Sequence, residues 1–364
     1  MGKKVIIAGG GTGGHIFPAI AIANALKKQD STIEILFVGA KGRMEMEKVP
    51  QAGFAIQGLD IAGFNRSSLI KNIGLPFKLV KSFFQVRSIM QQFKPDAAIG
   101  VGGYSSFPVL KVAQQKGIPT FIHESNSFAG KSNIMLGKKA TQVFTGTDGM
   151  EKFFPKEKII VTGNPVRSTI SQSVLTKADG VKFFSLEEGK RTVFVVGGSL
   201  GAKSINEAID KGLDTLLAAG LQVIWQTGKP YADRAAERVN GKTGVWAHDF
   251  VTQMEYAYAA ADVVVARSGA MTVAELCVAK KPVLFVPYPF AAEDHQTANA
   301  MQLVKKTAAL MVKDSEAMEK LVFMTIELSK DTGKQEELKQ HIAKLAVTNA
   351  DQIIASTILK VINK

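Results

Sequence analysis

The chain reads as an α/β protein of two domains, each built on a parallel sheet. Three observations carry this expectation. Strand-like runs alternate with helix-like runs from end to end, the signature of parallel sheets with crossover helices. A glycine-rich loop directly follows the first strand of each half. At 364 residues the chain is too long for one average domain and short for three.

In chain order, strands are expected at Lys4–Ala8, Ile33–Val38, Ala97–Val101, Thr120–His123 and Gln142–Thr145. Amphipathic helices lie between them, for example Phe17–Lys28, with Ile16, Ile20, Ala23 and Leu26 on one face. A short strand, Lys158–Thr162, leads into Gly163-Asn164-Pro165, a turn suited to a domain boundary. The second half repeats the plan, with strands at Arg191–Val196, Gln222–Gln226, Asp262–Ala266 and Pro282–Val286 and a helix from Ala202 to near Ala219. The expected division is 1–165 and 166–346, with a last helical stretch, about 347–364, that fits either domain by its residues alone.

The glycine loops set the chemistry. Gly9-Gly10-Gly11-Thr12-Gly13-Gly14-His15 follows the first strand and opens a helix with Pro18 read in its first turn. Glycines let the backbone approach a ligand, and the free N–H groups at a helix start suit a phosphate or a polar sugar. The spacing of Gly9, Gly11 and Gly14 also fits a dinucleotide fingerprint, which wants an acidic residue at the end of the second strand. That strand ends Phe37-Val38-Gly39-Ala40-Lys41, with no carboxylate, and the dinucleotide reading fails there. Gly100-Val101-Gly102-Gly103-Tyr104-Ser105-Ser106 and Gly197-Gly198-Ser199-Leu200-Gly201-Ala202 are loops of the same kind. Any one alone could be a tight turn; three at the carboxyl ends of parallel strands predict a ligand-lined surface.

Other polar groups stand at strand ends. They are His123-Glu124-Ser125-Asn126, Arg167 past the interdomain turn, Ser268-Gly269 before a helix carrying Glu275, and Asp294-His295-Gln296-Thr297. Glu275 shares its helix with Val273, Leu276 and Val278, so it is expected to be partly buried and to need a partner: a sugar diol, or a lysine or arginine. A fixed guanidinium at Arg167 could meet a diphosphate. Cys277 is the sole cysteine and sits in an apolar run, where an inert buried thiol is expected.

Taken in order, Gly11-Thr12-Gly13-Gly14-His15, Gly102-Gly103-Tyr104-Ser105, His123-Glu124-Ser125-Asn126, Gly163-Asn164-Pro165-Val166-Arg167, Gly197-Gly198-Ser199, Arg267 through Glu275 and Asp294-His295-Gln296-Thr297 resemble the MurG family of GT-B glycosyltransferases. The resemblance runs from residue 5 to about residue 300. It implies a GT-B fold of two Rossmann-like domains with parallel sheets facing a central cleft. It also implies inverting transfer of N-acetylglucosamine from UDP-N-acetylglucosamine to the C4 hydroxyl of the muramoyl sugar on a polyprenyl-diphosphate-linked muramoyl peptide. The setting it implies is the cytoplasmic face of the plasma membrane, and the last helix is expected to return to the first domain. On matching positions, Thr12, Gly13, Gly14, Asn126, Arg167 and Ser199 are expected to contact the donor's sugar or diphosphate. Val251 is expected to offer backbone groups to uracil. Ala270, Met271, Thr272, Val273, Ala274 and Glu275 are expected to hold diphosphate and ribose, with Gln296 on the N-acetylglucosamine. Gly103, Tyr104 and Ser105 fall on the acceptor side. Leu200 stands where some relatives have glutamine, so the loop there is expected to act through its backbone. A related enzyme that glycosylates a diacylglycerol shares the donor loops and is the nearest alternative.

An imidazole suits proton transfer near neutral pH, which makes His15 the leading general base. The alternative is a histidine that only binds phosphate at a helix start, and Glu124 is the rival base. No D-x-D motif stands at a strand end, so neither a metal nor any other cofactor is expected. UDP-N-acetylglucosamine enters as a substrate.

The net charge of +13 calls for an anionic partner. Residues 70–87 interleave Ile73, Leu75, Phe77, Leu79, Val80, Phe83 and Phe84 with Lys71, Lys78, Lys81 and Arg87, a pattern suited to an anionic membrane surface. An ordinary core helix with a basic outer face is the alternative. No apolar run reaches the about 18 residues that span a bilayer, and no signal-like segment precedes the first strand. Scattered aromatics argue against a nucleic-acid surface.

Overall fold

The computed structural model describes residues 2–62, 74–291 and 294–363. The chain divides into two compact units, Met1–Arg167 with Asn349–Lys364, and Ser168–Thr348. The first unit thus ends two residues later than expected. Arg167 belongs to it, its guanidinium lying 4.4 Å from the centroid of the Phe17 ring.

The first unit is built on a 7-stranded sheet ordered β3-β2-β1-β4-β5-β6-β7. Its strands are β1 (Lys4–Ala8), β2 (Glu34–Ala40), β3 (Ala55–Leu59), β4 (Ala97–Gly100), β5 (Thr120–Glu124), β6 (Gln142–Thr145) and β7 (Ile159–Val161). Every pairing is parallel, so all the strand-end loops emerge along one edge. Val5 to Ala8 are fully buried, as befits a central strand with both faces covered. The helices are α1 (Gly13–Gln29), α2 (Glu45–Gln51), α3 (Leu75–Phe93), α4 (Ser106–Gln115) and α5 (Lys131–Gly137). Because α1 begins at Gly13, Pro18 lies in its second turn, not its first. Its missing N–H would have bonded the carbonyl of Gly14, and the bare glycine there eases the clash of the proline ring.

The last helix, Ala350–Ile362, packs on α1. Ile354, Ala355, Ile358, Leu359 and Ile362 enter the same core as Val5, Ile22, Leu26 and Phe121. The return implied by the resemblance is therefore present in the packing, and the alternation of apolar residues along this helix supplies the reason.

The second unit carries a 6-stranded parallel sheet ordered β10-β9-β8-β11-β12-β13. Its strands are β8 (Arg191–Val196), β9 (Leu221–Gln226), β10 (Val245–His248), β11 (Val263–Ala266), β12 (Val283–Phe285) and β13 (Leu310–Met311). Trp225, Phe194 and Phe285 are fully buried in it. Three edge or short strands, β3, β10 and β13, were not expected from the sequence.

Candidate active site

In the first unit, the loops after β1 and β4 pack backbone against backbone. Gly10 N–H donates to the Gly102 carbonyl at 3.3 Å. A Cβ on Gly103 would lie 2.4 Å from the Gly10 oxygen, and one on Gly102 would lie 2.6 Å from His15 Nε2. Glycines at these two positions are what admit the second loop and the imidazole. Ser106 Oγ ties the loops to the sheet, donating to the carbonyls of Ala8 (2.8 Å) and Gly102 (2.9 Å).

His15 sits in the first turn of α1, half-buried, with Nδ1 3.1 Å from the Gly10 carbonyl oxygen. A carbonyl only accepts, so Nδ1 carries a proton, and in the neutral ring Nε2 then keeps its lone pair. That is the tautomer a general base requires. His123 is fully buried nearby, and burial pushes its imidazole down to about 4, helped by His15 and opposed by the Gly163 backbone. It is neutral at physiological pH and adds no charge to the site.

Glu124 has a different character from the rival base expected of it. Its Oε1 accepts from the backbone N–H (3.1 Å) and side-chain amide (3.3 Å) of Asn126. Its Oε2 accepts from Gly130 N–H (3.1 Å) and Asn133 Nδ2 (2.9 Å). Four donors fill the lone-pair sites of a carboxylate, so Glu124 organises the β5 loop and aims Asn126. Of the expected acceptor-side residues, Ser105 has its side chain buried, whereas its neighbour Tyr104 is exposed. Thr12 is exposed, and Gly13 and Gly14 form the start of α1.

A carboxylate does reach the first glycine loop, from α2 and not from β2. Glu45 is 1% exposed; its Oε2 accepts from Gly11 N–H at 2.8 Å and its Oε1 from Ala40 N–H at 3.0 Å. Cβ atoms on Gly10 and Gly39 would stand 2.2 and 2.5 Å from its side chain. It grips the protein's own backbone, so it does not restore the dinucleotide reading.

In the second unit the loop after β8 rests on the β9 end. A Cβ on Gly201 would meet the Thr227 carbonyl oxygen at 1.9 Å, while Gly198, at φ +90°, faces open space. Gln226 links the loop that carries Ser199 to Val251. Its Nε2 donates to the Gly198 carbonyl (2.9 Å) and its Oε1 accepts from Val251 N–H (3.1 Å). Of the Val251 backbone groups expected to meet uracil, the N–H is engaged by Gln226. Leu200 is 74% exposed at the loop tip beside Ser199, which is half-buried.

The helix Ala270–Ala279 begins directly after β11, with Gly269 as its extended N-cap. Ala270, Met271, Thr272, Val273 and Ala274 form its first turn and a little more. Glu275 is buried one turn further, where Tyr258 Oη donates to it at 3.0 Å. Tyr258 is thus one partner that the sequence left unnamed. Gln296 is the second residue of the helix His295–Val304; its Oε1 accepts from Tyr288 N–H (3.0 Å) and its carbonyl from Ser268 Oγ (2.8 Å). Arg267 donates to the carbonyls of Val286 and Pro287 and to Asp314, bracing the strand ends. Cys277 is buried, which pushes its thiol up to about 12 and keeps it inert.

On α3 the outward apolar stripe is Phe77 (79% exposed), Val80 (56%) and Phe84 (64%). Leu75 and Leu79 are half-buried, and Phe83 turns inward, its ring 6.2 Å from Phe107. Lys78 is exposed, while Lys81 pairs with Asp60 at 2.8 Å. Ile73 lies outside the described residues. No described helix is long and apolar enough to cross a membrane.

Among known proteins, the glycosyltransferase family 28 N-terminal domain matches residues 5–145 and the family's C-terminal domain matches residues 192–354. A Phocaeicola vulgatus protein named UDP-N-acetylglucosamine–N-acetylmuramyl-(pentapeptide) pyrophosphoryl-undecaprenol N-acetylglucosamine transferase is 50% identical, with 99% of this chain and 97% of the relative covered. A Parabacteroides distasonis protein of the same name is 47% identical, with 99% of each covered. The crystal structure of Acinetobacter baumannii MurG superposes with a TM-score of 0.75 at 29% identity, over 98% of this chain and 99% of that one. The chain belongs to glycosyltransferase family 28, and its two units have the Rossmann-like folds of a GT-B enzyme.

Proposed function

We propose that this family 28 glycosyltransferase moves N-acetylglucosamine from UDP-N-acetylglucosamine to the C4 hydroxyl of the muramoyl sugar on a polyprenyl-diphosphate-linked muramoyl peptide. The observation that carries this reading is near-complete coverage, at 50% identity, of a relative whose name states that donor and acceptor. The diacylglycerol alternative draws no support from these names.

The reaction is a single displacement with inversion. The acceptor hydroxyl attacks the anomeric carbon, Nε2 of His15 takes its proton, the bond from that carbon to the diphosphate oxygen breaks, and UDP leaves with the electron pair. The second unit supplies the donor surface: backbone of Gly198 and Ser199, the start of the helix Ala270–Ala279, Glu275 and Gln296. Helix N-termini and Arg167 offset the charge growing on the diphosphate. The residues need no metal for these steps, and activity is expected to survive a chelator.

The protein acts peripherally at the cytoplasmic membrane face, with Phe77, Val80 and Phe84 entering the interface and Lys78 beside them meeting anionic headgroups. Replacing Phe77 and Phe84 by serine is expected to weaken binding to anionic vesicles about tenfold or more, at about 0.8 kcal/mol per CH2 group kept out of the lipid. Unchanged binding would remove this role.

The deciding experiment is product analysis with a lipid I analogue. UDP-N-acetylglucosamine should yield a disaccharide-linked lipid, and UDP-glucose and UDP-galactose should yield little. Equal use of all three donors, or failure to modify the analogue, would contradict the proposal.

A further inference from the structure

We propose that Glu45 is a positioning residue for His15, acting through the single peptide bond between Gly10 and Gly11. The carbonyl of that peptide accepts from His15 Nδ1 at 3.1 Å, and its N–H donates to Glu45 Oε2 at 2.8 Å. Carboxylate, peptide and imidazole thus form one chain of hydrogen bonds, in which each bond polarises the next. Both Glu45 oxygens accept, the role of an ionised carboxylate. Negative charge at the N–H end draws electron density toward the carbonyl end and strengthens its hold on Nδ1–H. A peptide here does what a directly bonded carboxylate does in a Ser-His-Asp triad: it fixes the tautomer and the ring orientation.

Independent geometry shows that the fold is arranged around this carboxylate. Gly10 and Gly39, from two different strand ends, both lack the Cβ that would strike it at 2.2 and 2.5 Å. The carboxylate is buried, and its second oxygen is occupied by Ala40 N–H, so its position does not depend on a ligand. On the far side, Gly103 packs close to the same Gly10 carbonyl, and its lack of a Cβ, which would lie 2.4 Å from that oxygen, is what leaves the oxygen in place. The consequence for catalysis rests on His15 being the base; the tautomer itself does not.

The test combines 15N-histidine NMR with kinetics on the full chain. In the unmodified protein neutral His15 is expected to be the Nδ1–H tautomer, and finding Nε2–H there would overturn the proposal without any variant. Glu45→Gln keeps the size but turns an N–H2 group toward a backbone N–H. It is expected to populate the Nε2–H tautomer and to lower kcat by about 10- to 100-fold, as loss of an orienting partner does elsewhere, with KM for UDP-N-acetylglucosamine within about threefold. In a His15→Ala background the same substitution should change kcat less than about twofold. An equal penalty in both backgrounds would make Glu45 a general structural residue and defeat the proposal. Near-normal turnover of His15→Ala would instead remove the base while leaving the tautomer result to stand or fall separately.

Discussion

The two glycine loops share a sequence pattern and a place, each following the first strand of its unit, yet different groups hold them. The loop after β1 is locked on three sides, by the Glu45 carboxylate, by the Gly102-Gly103 backbone and by His15. The loop after β8 rests on the Thr227-Gly228 backbone and is linked to Val251 by a neutral amide, Gln226. Ionisable groups surround the first, while the second presents open backbone at Gly198 and an exposed tip at Leu200. In the proposed reaction, similar runs of glycine therefore serve proton transfer in one unit and nucleotide binding in the other. What separates them is the residues that arrive from distant parts of the chain.

The strongest way to break the contrast is to add one methyl group to a glycine of each unit. Gly103→Ala places a Cβ at 2.4 Å from the Gly10 oxygen, at φ +87°. It is expected to cost about 2–4 kcal/mol in stability, from left-handed strain plus overpacking. Turnover should fall about 100-fold, since the carbonyl that orients His15 must move. Thermal unfolding and initial rates measure both.

Acid should separate the units next. His123 is held neutral by burial, with its imidazole at about 4, whereas an unfolded histidine titrates near 6.5. Between those values the unfolded chain binds a proton that the folded first unit does not. Stability is thus complete above about pH 6.5 and declines as pH falls toward 4, by about 3 kcal/mol at the lower end. In the second unit, Asp214 is lowered to about 2 by Arg238 and Lys242, and Asp210 is also lowered, so their stabilisation is lost only further into acid. Hydrogen exchange at pH 5 should show β5 and β6 losing protection before β8 and β9; simultaneous loss would contradict this account.

A neutral bridge predicts a binding defect without a chemical one. Gln226→Leu should raise KM for UDP-N-acetylglucosamine about tenfold, the worth of one or two hydrogen bonds, and leave kcat within about threefold. The smallest effect is expected of Gly198→Ala, where a Cβ meets nothing within 4 Å and only the φ of +90° resists. About 1 kcal/mol of stability should be lost. A penalty as large as that of Gly103→Ala would erase the difference between the loops.

Much of this was legible in the sequence because it depends on local pattern. Strand-then-glycine runs located the loops, and the apolar face of Ala350–Ile362 made a packed last helix readable. The isolated apolar setting of Cys277 told of its burial. What was missed depends on tertiary contact. Glu45 lies 34 residues from the Gly11 N–H it accepts from, and Gln226 25 residues from Val251. Glu124 looked like a free carboxylate because its four donors gather only when the 124–133 loop closes on itself. On α3, apolar periodicity could not tell inward Phe83 from outward Phe84, neighbours on one helix with opposite surroundings. The strands β3, β10 and β13 are short or mixed in composition, and sheet pairing rather than propensity defines them.

The division of labour between the loops is tested most directly by His15→Ala, with donor affinity and single-turnover rate measured on the same sample. The expected result is a dissociation constant for UDP-N-acetylglucosamine within about threefold of the unmodified protein and a transfer rate lower by about 100-fold or more, the worth of a general base. Near-normal transfer, or a loss of donor affinity that accounts for the slower rate, would contradict the assignment of proton transfer to the first loop.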